Sequence, residues 1–267
     1  MINIDKSYYD QNGYLIIAGK NILSLKNEIK ASLREMALTI LINYYSPDIY
    51  EIVKNKSFDE ILDYCISVEN NNEISKVFYE LFTSNMTLNG LAVNRLFQDI
   101  SRQLGLNYPV PSTMPLIRID RPKDETYLVP AHQDFWSSMN CLNSVTYWFS
   151  LVDLSPELGF LKVVPGSHKL GPLPMRFHKK ENPYILKNNL DLSFIDVNLK
   201  EDELLVFSQL LVHKSGKNVS EKTRISIQVR HNDLTNLNPV SSSYVVNPSS
   251  TTSDLQKKWL EKSNDET

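Results

Sequence analysis

The chain has 267 residues, with 28 Lys and Arg against 31 Asp and Glu, a net charge of −3 and a pI near 6.0. That length suffices for a sizeable core in one large β domain, and the charge balance leaves no basic footprint for nucleic acid. No apolar run is long enough to cross a bilayer, the opening M-I-N-I-D-K-S-Y-Y-D lacks the pattern of a signal peptide, and Cys65 and Cys141 fit no metal or redox motif, so a cytoplasmic protein with neither a nucleic-acid nor a membrane partner is expected.

In chain order, Tyr8 to Ala18 reads as a turn at Asn12-Gly13 followed by a short apolar strand. Ile22, Leu25, Ile29, Leu33, Met36 and Ile40 then recur at helical spacing, with Lys26, Glu28, Lys30, Arg34 and Glu35 between them. This predicts an amphipathic helix over 22–45. Ser57-Phe58-Asp59-Glu60 has the form of a capping box and opens a second helix to about Cys65. Glu73–Phe82 and Leu88–Leu104 read as two more. The mainly helical part is therefore 20–105, and it holds no histidine.

Composition changes near Asn107, where Pro109, Pro111 and Pro115 punctuate the chain. Short strands are expected at Leu116–Ile119, Ser144–Leu151, Phe160–Val164, Phe194–Val197, Leu204–Phe207 and Ile225–Val229. Many short strands separated by Gly and Pro turns suggest a barrel or double-sheet jelly roll over about 110–232. Residues 238–267 form a polar, Ser-rich C-terminal extension.

The chemistry centres on P-A-H-Q-D-F-W, residues 130–136. In an extended segment His132 and Asp134 project to the same face and reach one metal ion. Two histidines and one carboxylate, with other positions open, suit a non-heme Fe(II) site. His213 is the candidate second histidine. The alternative for each residue is an ordinary structural or surface hydrogen bond; His168, His178 and His231 read as loop or structural residues. In T-R-I-S-I-Q-V-R, residues 223–230, Ile225, Ile227 and Val229 alternate with Arg224, Ser226, Gln228 and Arg230. The polar face either meets water or lines a barrel cavity. In the cavity, Arg224 could hold a carboxylate through its planar fork, and Ser226 could add a hydrogen bond.

With these residues in view, the chain resembles the phytanoyl-CoA dioxygenase (PhyH-like) family of Fe(II)- and 2-oxoglutarate-dependent oxygenases. The resemblance runs from about Tyr8 to Asp233. It rests on N-G-Y-L-I-I, H-Q-D, Trp148, L-G-F-L-K-V-V-P-G-S-H-K, E-D-E-L-L-V-F with His213, S-G-K-N, and Arg224 eleven residues after His213. It departs at E-L-G-F, where the family more often has a short polar turn before glycine. The resemblance implies one domain over 1–237, mainly β with flanking α: a double-stranded β-helix, or cupin-like jelly roll, with helices packed outside. It implies His132, Asp134 and His213 as the iron ligands, with Fe(II), 2-oxoglutarate and O2 as cofactor and cosubstrates. Arg224 would pair with the distal carboxylate of 2-oxoglutarate. Trp148 takes the place of an aromatic lining the cosubstrate pocket, or is a plain core residue.

The expected reaction is hydroxylation of a C–H bond of a small-molecule substrate, with 2-oxoglutarate leaving as succinate and CO2. Related halogenases carry Ala or Gly where Asp134 stands, so halogenation is not expected. Lys162, Lys169, Arg176, Lys179 and Lys180 around P-G-S-H-K would attract an anionic substrate, or are simply a solvated surface. Phe135 and Trp136 form an apolar wall or core. The rival readings are a cupin-like metal-dependent isomerase or epimerase, and a non-catalytic metal- or ligand-binding jelly roll.

Overall fold

The structure, a computed structural model, describes residues 4–68, 73–112, 114–126, 128–138, 141–176, 185–186 and 192–236. Helix α1 (Lys6–Asn12) is capped by Asp5, whose side chain accepts from the Tyr8 amide at 3.0 Å. It closes at Gly13, with φ 79°. Asn12-Gly13 is thus a helix C-terminus in the left-handed conformation, where a free-standing turn was expected. A Cβ at Gly13 would also lie 2.3 Å from the His168 ring.

After β1 (Tyr14–Ala18), the long expected helix forms as α2 (Lys20–Ile40) and a π turn, Leu41–Tyr45. Ile22, Ile29, Leu33 and Ile40 are buried as the periodicity predicts, but Lys26 is buried with them. Its ammonium donates to the Glu203 carbonyl at 2.6 Å, and burial pulls its pKa down to about 8. A helix that the periodicity misses, α3 (Pro47–Val53), starts at Ser46, which caps Ile49, and has Pro47 in its first turn. In α4 (Phe58–Val68) the Glu60 carboxylate accepts from both the Ser57 amide and the Ser57 hydroxyl at 2.8 Å, so the glutamate half of the capping box forms. Next come α5 (Glu73–Phe82), α6 (Met86–Gly90) and α7 (Arg95–Gln103). The single helix expected over 88–104 is broken because Asn94 turns its side chain onto the Leu96 amide, at 2.9 Å, and starts a new helix.

The β part contains β2 (Pro109–Pro111), β3 (Leu116–Asp120), a short α8 (Phe135–Ser138), β4 (Ser144–Ser150), β5 (Leu161–Val163), β6 (Met175–Arg176), β7 (Ile185–Leu186), β8 (Ile195–Val197), β9 (Glu203–Ser208), β10 (His213–Ser215) and β11 (Arg224–Asp233). All six expected strands are present, as β3, β4, β5, β8, β9 and β11. The prolines near residue 110 pair with the end of β11 as an edge strand, where a missing N–H is tolerated. The larger antiparallel sheet runs β1-β9-β4-β11, with β2 and β3 both beside β11; the smaller runs β10-β5-β8. Together they form the jelly roll, mainly β with flanking helices.

Helices α2, α5 and α7 pack on strands of the larger sheet, and α4 packs on α2 and α5. Ile225, Ile227 and Val229 of β11 join Tyr147 and Phe149 of β4 in that helix-facing core. Arg224, Ser226, Gln228 and Arg230 point the other way, into the space between the sheets. His231 is an internal strut. Its Nε2 donates to the Ala92 carbonyl at 3.0 Å, and its Nδ1 accepts from Ser101, which lies 2.7 Å from the Tyr147 hydroxyl.

Burial lowers the His231 pKa from 6.5 to about 4. The unfolded chain therefore binds more protons between these values, and stability falls as pH drops from 6.5 through 4. At about 1.4 kcal/mol per pKa unit, the expected loss is about 3 kcal/mol. Urea denaturation at pH 7 and pH 4 measures it, and a His231→Gln variant should show a smaller pH slope.

Candidate metal and carboxylate site

His132 and His213 face each other across an isolated antiparallel bridge. Each backbone amide donates to the other's carbonyl at 3.0 Å, and the ring centroids are 4.1 Å apart. Each Nδ1 sits against the carbonyl two residues upstream, Pro130 at 2.9 Å and Leu211 at 3.0 Å. A carbonyl only accepts, so Nδ1 carries the proton and Nε2 presents a lone pair. Both Nε2 atoms face Oδ1 of Asp134, at 3.5 and 3.8 Å. Donor atoms of all three residues lie within 4.8 Å of one another.

The charge states suit a divalent cation. Burial, reinforced by His132, lowers the His213 pKa to about 3, so its imidazole is neutral. Burial alone would raise Asp134. Arg230, His132 and His213 outweigh it and hold the carboxyl well below the usual range. Two imidazoles and one carboxylate match the donor set of a facial iron site.

The segment is less regular than expected. Only His132 is in a β-bridge, and Asp134 already begins the turn into α8. Gln133 between them is fully buried. Its amide nitrogen donates to the Gly171 and Leu210 carbonyls at 2.9 and 2.6 Å, and its oxygen accepts from the Leu173 amide at 2.8 Å. Three chain segments are thereby fastened behind the histidines.

A cavity of about 250 Å³ extends from these three residues along the polar face of β11 to Arg118, Asp120 and Arg224; Trp148 and Ser226 line it. Trp148 is both cavity wall and core, since it also packs with Leu161 and Leu205. Arg224 is 3% exposed. Its Nε and Nη2 donate to Asp120 Oδ2 at 3.1 and 3.0 Å, and Nη1 donates to the Gly159 and Gly216 carbonyls at 2.6 and 3.0 Å. Arg118 donates to the other Asp120 oxygen at 2.8 Å. The two-pronged partner of Arg224 here is thus Asp120. Two guanidiniums thus meet at one carboxylate at this end of the cavity. Gly159 makes the carbonyl contact possible: φ is 83°, and a Cβ there would lie 2.4 Å from the Lys217 carbonyl oxygen.

Asp120, Thr146, Gln133 and Arg230 are the site residues that the sequence reading did not assign. Arg230 was legible as a member of the β11 polar face. Asp120 shares a face with Arg118 in L-I-R-I-D. Thr146 and Gln133 carry no signal of their own. Phe135 and Trp136 pack with Val164 and Val212 in a separate apolar cluster and are core. Of the cations around P-G-S-H-K, Lys162 pairs with Asp196 and Lys169 is exposed. His178, Lys179, Lys180 and the extension 238–267 lie outside the described residues.

The model of the family named phytanoyl-CoA dioxygenase (PhyH) matches residues 9–226. The chain belongs to this family. PhyH enzymes use Fe(II), 2-oxoglutarate and O2. Two curated relatives, the uncharacterized proteins Mb1539 of Mycobacterium bovis and Rv1501 of Mycobacterium tuberculosis, are each 31% identical over 97 residues, 36% of this chain and 32% of the relative. The match therefore spans about a third of each relative. Among solved structures, the epimerase SnoN with Fe3+, alpha ketoglutarate and nogalamycin RO has a TM-score of 0.56 at 18% identity, over 86% of this chain and 82% of that one. The non-heme monooxygenase ThoJ in its apo form has a TM-score of 0.54 at 14% identity, covering 85% and 76%. EctD from S. alaskensis with bound Fe has 0.53 at 13%, covering 87% and 76%. At these identities the likeness concerns the fold, and it agrees with the PhyH jelly roll. No helix of the described residues is long and apolar enough to cross a membrane.

Truncating Gln133 to Ala leaves three half-buried backbone groups, in two other segments, without their partner. The expected cost is about 3 kcal/mol, read from the urea midpoint of the purified variant.

Proposed function

We propose that the chain is a hydroxylase of small molecules, in which His132, Asp134 and His213 hold Fe(II) and the Arg224 end of the cavity takes the distal carboxylate of 2-oxoglutarate. The observation that carries the reading is the convergence of both proton-free Nε2 atoms on Asp134 Oδ1, with each Nδ1 fixed by a carbonyl. A satisfied structural histidine has no need of two such partners aimed at one point. Bound there, Fe(II) with 2-oxoglutarate and O2 supplies the oxidising power to break a substrate C–H bond, with succinate and CO2 as the coproducts.

The chain's own residues do the rest. Arg224 and Arg118 orient the cosubstrate by charge, and burial of Arg224 strengthens that pairing. Ser226 adds a hydroxyl on the same face, and Trp148 closes one wall and excludes water. A second cavity of about 380 Å³, between α5 and β3, shares Tyr79, Arg118 and Asp120 with the first. It gives a substrate room beside the site. With Asp134 present as a carboxylate ligand, halogenation is disfavoured; hydroxylation is the expected outcome, with desaturation or ring closure as the alternatives.

The test needs no knowledge of the substrate. Under labelled dioxygen, the Fe(II)-loaded protein should convert 2-oxoglutarate to succinate carrying one labelled oxygen, and His213→Ala should abolish both metal binding and turnover. Incubated with a metabolite extract, it should yield a product heavier by one labelled oxygen. Unlabelled succinate would sink the oxygenase reading, and a stereochemical change with no oxygen gained would make the chain an epimerase.

Removing Arg224 should weaken 2-oxoglutarate and spare the metal. One charge-assisted hydrogen bond is worth about 1.5–3 kcal/mol, so Arg224→Ala should raise the 2-oxoglutarate KM by about 10- to 150-fold. Arg224→Lys should recover only part, because one ammonium cannot hold Asp120 with two prongs and also reach the cosubstrate. Titration with Co(II) checks that metal affinity is unchanged.

A further inference from the structure

The two oxygens of Asp134 have different surroundings. Oδ1 faces the imidazole Nε2 atoms of His132 and His213. Oδ2 accepts from the Thr146 hydroxyl at 2.7 Å and from Arg230 Nε at 3.2 Å. A carboxylate oxygen offers about two lone-pair directions, and both at Oδ2 are engaged. Arg230 Nη2 donates to Oδ1 at 3.1 Å, so the fork spans both oxygens and sets the plane of the carboxylate. Turning that plane over would exchange the two oxygens, and Thr146 opposes this because its hydroxyl reaches only one side.

The support is itself rigid. Thr146 and Arg230 are direct register partners on β4 and β11, the central strands of the larger sheet. Thr146 is fully buried and Arg230 is 7% exposed. Gln228, two residues before Arg230 on the same face, accepts from Arg230 Nη2 at 2.7 Å and holds the far edge of the guanidinium. A lone counter-ion would need none of this: any nearby cation neutralises a carboxylate, whereas a fork, a hydroxyl and a glutamine brace fix its orientation.

We propose that Arg230 and Thr146 are positioning residues that restrict Asp134 to one coordinating oxygen, Oδ1, and thereby keep room at the metal for the cosubstrate. The inference rests on the facial-site reading given above. It assigns Arg230 to the metal ligand and not to the cosubstrate carboxylate, although Arg230 and Arg224 lie on the same face of the same strand. Without the fork, Oδ2 can join Oδ1 on the ion. The metal would then be held as well or better, and 2-oxoglutarate would lose a position.

The experiment uses Co(II) as the probe metal and measures three quantities on the full chain: Co(II) affinity, 2-oxoglutarate affinity of the Co(II)-loaded protein, and the visible absorption of Co(II). In Arg230→Met, Co(II) should bind within about threefold of wild type or tighter, 2-oxoglutarate should bind at least about tenfold more weakly, and the Co(II) spectrum should shift. Thr146→Val, nearly the same shape, should move the same three quantities in the same directions by less, and it decides the matter if Arg230→Met fails to fold. Wild-type 2-oxoglutarate affinity and an unchanged spectrum in Thr146→Val and in any folded Arg230→Met would overturn the inference and leave the facial site standing. So would a more than about tenfold loss of Co(II), which would make the pair a simple support for the ligand. Failure of the wild-type protein to bind Co(II) would instead remove the facial-site reading itself.

Discussion

The central strand β11 is buried on both of its faces, and a strand in that position has two solvation problems. Its odd-numbered residues from Ile225 to Val229 meet the helices and are aliphatic, so burial on that side is favourable without further arrangement. Its even-numbered residues from Arg224 to Arg230 carry two guanidiniums, a hydroxyl and an amide into a cavity. Polar groups buried there are tolerated only when paired. The rest of the site follows from how that pairing is done.

It is done in two separate clusters. At one end, Arg224 and Arg118 share Asp120; at the other, Arg230 takes Asp134. Removing one partner of a buried pair leaves an uncompensated charge, which is much costlier than losing a surface ion pair. The acids are therefore tied to their arginines, and each cluster is a fixed point. Asp134, the carboxylate proposed to face the metal, sits at one fixed point, and Arg224, proposed to take the cosubstrate carboxylate, at the other.

The histidines are held by the backbone. Their reciprocal amide–carbonyl bridge joins the approach to α8 with the start of β10, and Gln133 fastens two further segments behind it. Position is thus set by main-chain hydrogen bonds and tautomer by main-chain carbonyls, with few rotatable side-chain bonds left over. Glycine serves the other end in the same way. Gly159 and Gly216 allow two backbone segments to approach closely enough that both carbonyls reach one guanidinium.

The amino-acid order by itself determined the period-two face of β11, the positions of six strands of the β part, the helical first hundred residues and the candidate trio of His132, Asp134 and His213. These are local properties: side-chain period, turn residues and donor types at short spacing, with the family pattern supplying the distant histidine. It could not determine that Asn94 breaks a helix or that Ser46 starts one, because a capping side chain competes locally with a periodicity that looks continuous. It could not show Lys26 buried, since its carbonyl partner on Glu203 is brought near only by folding. Nor could it pair Arg224 with Asp120, or Arg230 and Thr146 with Asp134. Arg224 meets Asp120 through the register of β11 with β3, and Asp134, in the turn before α8, meets Thr146 and Arg230 only where that turn lies against β4 and β11; both are tertiary properties that no local pattern encodes.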